Sequence, residues 1–234
     1  MYRNSDRFFT SFHRMEKKLS SLIKSNRNIA FSKMVHMLKH RHAVVGRYSD
    51  DLLEFAELRN AIVHNKIDVS YAIAEPHDAT VKRIEMIEKE LHQPRLVVPK
   101  FTKKVYTFQQ QEPLNHLLSL IHEKKITKFP VYDRNEFKGL ISQRAIALWL
   151  AGNVHNGKST SDVTIAEVLE YETKDNYRFI SKDTSILEAV EIFKKKIGRG
   201  NRLEALLITE NGDSSEELIG IITNLDIIGI RHPR

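Results

Sequence analysis

Cysteine is absent from this chain. That excludes a disulfide framework, a thiolate metal site and a cysteine nucleophile, and it fits a reducing compartment. Also missing is any run near the roughly 18–20 apolar residues that a membrane span needs. The opening stretch, MYRNSDRFFTSFHRMEKKL, has neither a continuous apolar core nor a small-residue cleavage site, so no secretory signal is expected. A cytoplasmic protein with no membrane partner is the expectation. Spacing yields no serine triad and no carboxylate pair. His36 and His40 stand at i, i+4, but Lys33, Lys39 and Arg41 oppose a cation there, so no metal is expected. GRGN at 198–201 precedes a strand rather than opening a helix, which rules out a phosphate-binding loop. The one tryptophan, Trp149, sits in an apolar helical run and is expected in the core.

What is present suffices for a core: 41% of the residues are hydrophobic. The net charge of +7 is unevenly spread. Residues 1–47 hold 11 Lys and Arg against 2 acids, whereas residues 48–95 hold 6 against 10. A basic N-terminal segment suits a polyanion such as RNA, or it is a solvated helix face.

The first part of the chain reads as helix. In RFFTSFHRMEKKLSSLI, Phe8, Phe12, Met15, Leu19, Leu22 and Ile23 recur at three- and four-residue steps. IAFSKMVHMLKHRHAVV repeats the pattern until Gly46 breaks it. SDDLLEFAELRNAIVHN opens on a good cap, Ser49, followed by acids that suit a helix start, and Asn65 is a suitable stop. HDATVKRIEMIEKEL is a fourth helix. Short connections predict an antiparallel four-helix bundle over residues 1–91.

Prolines and extended residues then mark a linker over 92–101. Beyond it, strand, helix, strand, strand, helix occurs twice, the copies offset by roughly 75–80 residues. KVYTF, PLNHLLSLIHEKK, KFPVYD, FKGLIS and QRAIALWLAGN form the first copy, over 102–160. YRFIS, TSILEAVEIFKKKIG, LEALLIT, LIGIIT and NLDIIGI form the second, over 161–234. Each copy is too small to bury a good core alone, so the two are expected to pack on each other. The fold class is therefore α+β: an all-α bundle followed by two β-α-β-β-α repeats packed as a pair.

A recurring phrase ends each copy: GLISQRA (139–145) and GIITNLD (220–226). A hydroxyl at a strand-to-helix turn can help hold a phosphate, and an Asp one turn onward can accept both ribose hydroxyls. The alternative is that Thr223 caps the helix and Asp226 favours its first turn. With TFQQQEPLNHLL and FISKDTSILEAV before the first helices, and ITKFPVYD at the next strand, the C-terminal half resembles a tandem of CBS domains, a Bateman module. The resemblance implies a regulatory site for an adenine nucleotide, AMP, ADP or ATP, or another adenosyl compound, with no required cofactor. Thr223 would contact phosphate and Asp226 ribose, with Leu203, Ala205 and the backbone near Ile180 and Ser181 around the base. The first copy departs from the pattern. Ser142 keeps the hydroxyl, but Ala145 replaces the acid, so Ser142, Phe129 and Pro130 would make a weaker second site. The second copy has Ala205 where the first has Pro130.

ELRNAIVHN (57–65) raises a further reading. At roughly 100° per residue, Asn60 and His64 lie about 40° apart and share a helix face, with Arg59 bordering it. Arg, Asn, three residues and His at the end of a third helix resemble HEPN domains, over residues 1–91. The resemblance implies either a metal-independent ribonuclease acting as a homodimer or an inactive relative that binds nucleic acid or partners. In the first case His64 serves as acid and base, Arg59 steadies the phosphorane charge and the RNA 2′-hydroxyl attacks. The bland alternative is a histidine capping a helix end. Three functions follow: an adenine-nucleotide-sensing regulator with a helical output domain, a nucleotide-regulated ribonuclease using Arg59, Asn60 and His64, or a non-catalytic structural or RNA-binding adaptor.

Overall fold

The computed structural model describes residues 3–24, 29–64, 75–153, 159–197 and 202–228. The chain forms two compact units, residues 1–95 with Ile186–Glu188, and residues 96–185 with 189–234.

The first unit is helical among the described residues: α1 (Asn4–Ile23), α2 (Phe31–Leu38), α3 (Ala43–Arg47), α4 (Ser49–His64) and α5 (Asp78–His92). The stripe expected on α1 is buried, with Phe8, Met15 and Leu19 fully enclosed. Ile62 from α4 and Ile84 and Ile87 from α5 complete the same core. Phe8 meets Phe55 edge-on at 6.0 Å, and Phe12 stacks on Phe31 at 4.4 Å. Two bidentate ion pairs lie at the margin. Arg7 grips Glu85 at 2.9 and 2.7 Å, and Arg83 grips Asp51 at 2.8 and 2.9 Å.

One expected helix is in fact two. The run from Ile29 to Val45 breaks at Lys39–His42, and Gly46 lies inside α3 rather than ending a helix. The cause is a close approach: a Cβ on Gly46 would stand 2.3 Å from the Lys39 carbonyl oxygen. Only glycine lets the chain fold back there and bury Val44 and Val45. Ser49 likewise sits within α4, its hydroxyl donating to Asp50 at 3.3 Å, instead of preceding the helix as a cap. Asn65, the expected stop, lies outside the described residues.

His42 caps α3, its Nδ1 accepting from the Val45 amide at 3.4 Å. Burial pushes this imidazole below its ordinary value of 6.5, Lys18 pushes the same way, and Glu188 opposes them more weakly. The folded ring is thus harder to protonate than the unfolded one. Below about 6.5 the unfolded chain binds more protons, so stability falls as pH drops through that value. Melting curves at pH 7.5 and 5.5 check this: the wild-type loss should shrink in His42→Asn, and an equal loss in both would clear His42 of the effect.

The second unit carries the duplication. β1 (Phe108–Gln109), α6 (Leu114–Lys124), β2 (Lys128–Asp133), β3 (Glu136–Ser142) and α7 (Gln143–Asn153) form the first copy. After α8 (Ile165–Leu169) come β4 (Tyr177–Ser181), α9 (Ile186–Ile197), β5 (Ala205–Thr209), β6 (Gly220–Thr223) and α10 (Asn224–Ile228). Each sheet has three strands, the first parallel to the second and the second antiparallel to the third. The sequence reading missed α8, a single turn fixed by a capping box between Thr164 and Glu167. KVYTF contributes strand only at its last residue, Phe108.

The two copies share a core, as their size requires. Phe137 meets Tyr177 at 4.8 Å and Phe179 at 4.9 Å, while Leu140 clusters with Ala205, Leu207 and Ile221. Asn176, 1% exposed, donates its side-chain amide to the Leu140 carbonyl at 2.9 Å. Trp149 and Ala145 are buried in the first copy's core.

Candidate functional site

β6 runs into α10 at Thr223, where strand pairing ends and helical amides begin. The Thr223 amide and hydroxyl both donate to one oxygen of Asp226, at 2.7 and 2.8 Å. The other oxygen of Asp226 faces the Lys103 ammonium at 3.5 Å. Asn224 reaches the Leu203 carbonyl at 3.4 Å. Ladder register puts Tyr177, Ala205 and Thr223 in one row across the sheet. Leu203 and Ala205 are buried beside this turn.

Ile180 and Ser181 are not brought there. They pair with Ile208 and Thr209, three and four residues along β5 from Ala205, or about 10–13 Å. Ile180 is 5% exposed, and the Ser181 hydroxyl donates to the Glu210 carbonyl at 3.0 Å, closing the loop after β5. In that loop Glu216 accepts from the amide and side chain of Asn211 at 2.7 and 2.6 Å, which pulls its carboxyl down to about 2. The β4 residue level with Thr223 is Tyr177, which sequence reasoning did not single out.

The first copy solves the same turn differently. Ser142 pairs with Lys128 and Thr223 with Ala205, so Ala205 answers to Lys128, and Pro130 answers to Leu207. Phe129 is fully buried and meets Phe108 edge-on at 5.5 Å, and Pro130 is buried too, so both belong to the interior. Ala145 has no acid to offer, yet Ser142 is not bare. Its amide and hydroxyl both donate to one oxygen of Glu172, at 2.9 and 2.6 Å. The other Glu172 oxygen accepts from the Thr173 amide at 3.1 Å and hydroxyl at 3.4 Å. A carboxylate from thirty residues downstream thus supplies what the local motif lacks. Nothing in the local spacing signals this partner.

In the helical unit, the Arg59 guanidinium donates to the Asn60 side-chain oxygen Oδ1 at 3.3 Å on an exposed face. Ile62 between them and His64 is 1% exposed and points into the core. His64 ends α4, and its side chain lies outside the described residues. A groove of about 770 Å³ lies between α1 and α5, lined by Arg7, Arg14, Glu85, Lys89 and His92 among others, and contains none of the residues expected at a site. His36 and His40 are exposed. Among the described residues, no helix is long and apolar enough to cross a membrane.

A duplicated β-α-β-β-α unit, packed sheet to sheet with a carboxylate-held hydroxyl turn in each copy, defines a paired regulatory module. The chain belongs to the CBS-domain family, whose sequence model matches residues 96–152 and 162–232, more than half of its length. Among curated proteins it is 27% identical, over 147 residues, to an inosine-5′-monophosphate dehydrogenase of Thermoplasma acidophilum. The match covers 63% of this chain and 25% of that enzyme, so the chain spans about a quarter of its relative's length. Among solved structures, the CBS domain of a membrane protein from Sphaerobacter thermophilus is 15% identical, with 65% of this chain and 96% of that one covered and a TM-score of 0.47. CBSX2, solved in complex with AMP, is 18% identical, with coverage of 57% and 93% and a TM-score of 0.42.

Proposed function

We propose that this CBS pair is a sensor for an adenosyl ligand, AMP, ADP, ATP or another adenosyl compound, bound at the second copy. Thr223 serves the phosphate, Asp226 the ribose hydroxyls, and Leu203, Ala205 and Tyr177 border the base. Residues 1–91 act as the output domain, joined by the linker 92–101 to copies spanning 102–160 and 161–234. The observation that carries this reading is the Thr223–Asp226 pair. A carboxylate whose side chain is 27% exposed sits one turn from a hydroxyl and a free-ending strand. Family membership supports it, because the phrase GIITNLD keeps both residue types where a CBS pair reads a nucleotide. Thermal melts with each nucleotide and with S-adenosylmethionine test the reading. At least one compound should raise the melting temperature, and no shift from any of them at millimolar concentration sinks it.

A second reading attaches to the helical unit, favoured by the Arg59–Asn60 contact on an exposed face. Here the HEPN-like output domain is a metal-independent ribonuclease, with Arg59, Asn60 and His64 facing RNA across a homodimer. Cleavage should then persist in EDTA, leave 2′,3′-cyclic phosphate ends, spare DNA, and be lost in His64→Ala. The same preparation should scatter light as twice the 27.2 kDa chain. Equal RNA background in wild type and His64→Ala, with and without nucleotide, leaves a non-catalytic adaptor.

A further inference from the structure

The two strand-to-helix turns differ in the charge that reaches them. At each, the arriving side chain comes from the segment leading into the first strand of the opposite copy. Glu172, ahead of β4, lands on Ser142 of the first copy and takes up both its donors through one oxygen. Lys103, ahead of β1, lands beside Asp226 of the second copy, with its ammonium 3.5 Å from the carboxylate and its side chain 43% exposed. These placements are part of how the copies dock. Lys103 donates its backbone amide to the Ile219 carbonyl at 3.3 Å, and Thr102 bridges to Gly220. In the first copy, Leu169, ahead of Glu172, packs against Gly139, where a Cβ would meet it at 3.0 Å.

Resting on the sensor reading above, we propose that Glu172 is the resident occupant of the first copy's ligand position. The pair therefore takes one anionic adenosyl ligand, at the second copy, where Lys103 offers a cation instead. The chemistry is simple. A carboxylate already holding the Ser142 amide and hydroxyl leaves them no capacity for a phosphate oxygen. A second anion at that spot would also face the Glu172 charge across a short distance in a part-buried turn, where like charges repel more than in bulk water. Ser142 is fully buried beneath this contact. The second turn has the converse arrangement. Asp226 is held by Thr223 from one side and Lys103 from the other, and a nucleotide that accepts from Thr223 and neutralises Lys103 releases the carboxylate for the ribose.

Titration calorimetry of the full chain with AMP tests this. Wild type is expected to bind one equivalent. Glu172→Ala is expected to bind a second, weaker by about ten- to hundredfold because Ala145 offers no ribose acceptor. Glu172→Met keeps the length of the side chain and offers no acceptor oxygen, and it serves as the variant if the alanine protein fails a circular-dichroism check. Asp226→Ala should remove the tight event and leave the new one in the double variant. Lys103→Met should weaken AMP by about tenfold while leaving adenosine within twofold, since only the charged ligand feels the ammonium. A folded Glu172 variant that still binds one equivalent, or a wild type that binds two, overturns the proposal. A wild type that binds none while a Glu172 variant binds one supports the occupancy by Glu172 and defeats the reading of the second copy. Binding by neither defeats both.

Discussion

Replacing Phe8 by alanine is expected to remove about 3–5 kcal/mol from the stability of the helical unit. Phe8 is fully enclosed and meets three aromatic rings, those of Phe9, Phe12 and Phe55, with centroids 5.9 to 6.2 Å away. The loss has two parts: the transfer free energy of the ring, and the cavity that helices braced by the Arg7–Glu85 and Arg83–Asp51 pairs are poorly able to close. A domain of this size has about 5–15 kcal/mol in hand, so the variant approaches the edge of folding. Urea titration checks it, because a slope of about 1–3 kcal/mol per molar turns that loss into a midpoint shift of a molar or more. Met37, 45% exposed on α2, is the control, and its alanine variant should stay within about 0.5 kcal/mol of wild type. A Phe8→Ala loss below about 1 kcal/mol would mean that the ring is not packed as described.

The second large effect concerns Asp226. At a hundredfold excess over Kd, a ligand that binds only the folded chain stabilises it by about 2.7 kcal/mol. Asp226→Ala should abolish most of that gain, because the ribose loses both of its charge-assisted acceptors. Ser142→Ala should leave the gain nearly intact, although it costs some stability without ligand because Glu172 loses one of its donors, the hydroxyl. Melting temperatures of the three proteins, with and without AMP, separate the two residues. If Ser142→Ala alone erased the ligand shift, the ligand would sit in the first copy.

Much of the fold was legible because its signals were local. α7 and the strands KFPVYD and YRFIS have the bounds their apolar runs and turn residues suggest. The duplication was legible because two weak phrases recur in one order. The break at Lys39–His42 was not, since the apolar period continues through it, and the fold-back depends on how close Gly46 comes to a carbonyl. At the site, Thr223 and Asp226 are close in sequence and could be read together. Tyr177 falls in the row of Thr223 only through strand register, which also carries Ile180 and Ser181 away. Glu172 was beyond reach for the same reason. A local motif with a missing acid looks vacant until a distant segment is seen to fill it.

The docking of Thr102 on Gly220, where a Cβ would collide with the Phe101 carbonyl at 2.2 Å, also bears on how the duplication is divided in space. Each copy wears a piece of chain that the sequence assigns to the other. A nick between the copies, near residue 160, would leave fragments that are mutual templates rather than independent folds. The first would lack Glu172 over Ser142, and the second would lack Phe101 to Lys103 along β6. Produced apart, each would present an unsealed edge to water; mixed, they should recover one another by strand complementation. The gene duplicates at one boundary, and the folded body is tailored along another.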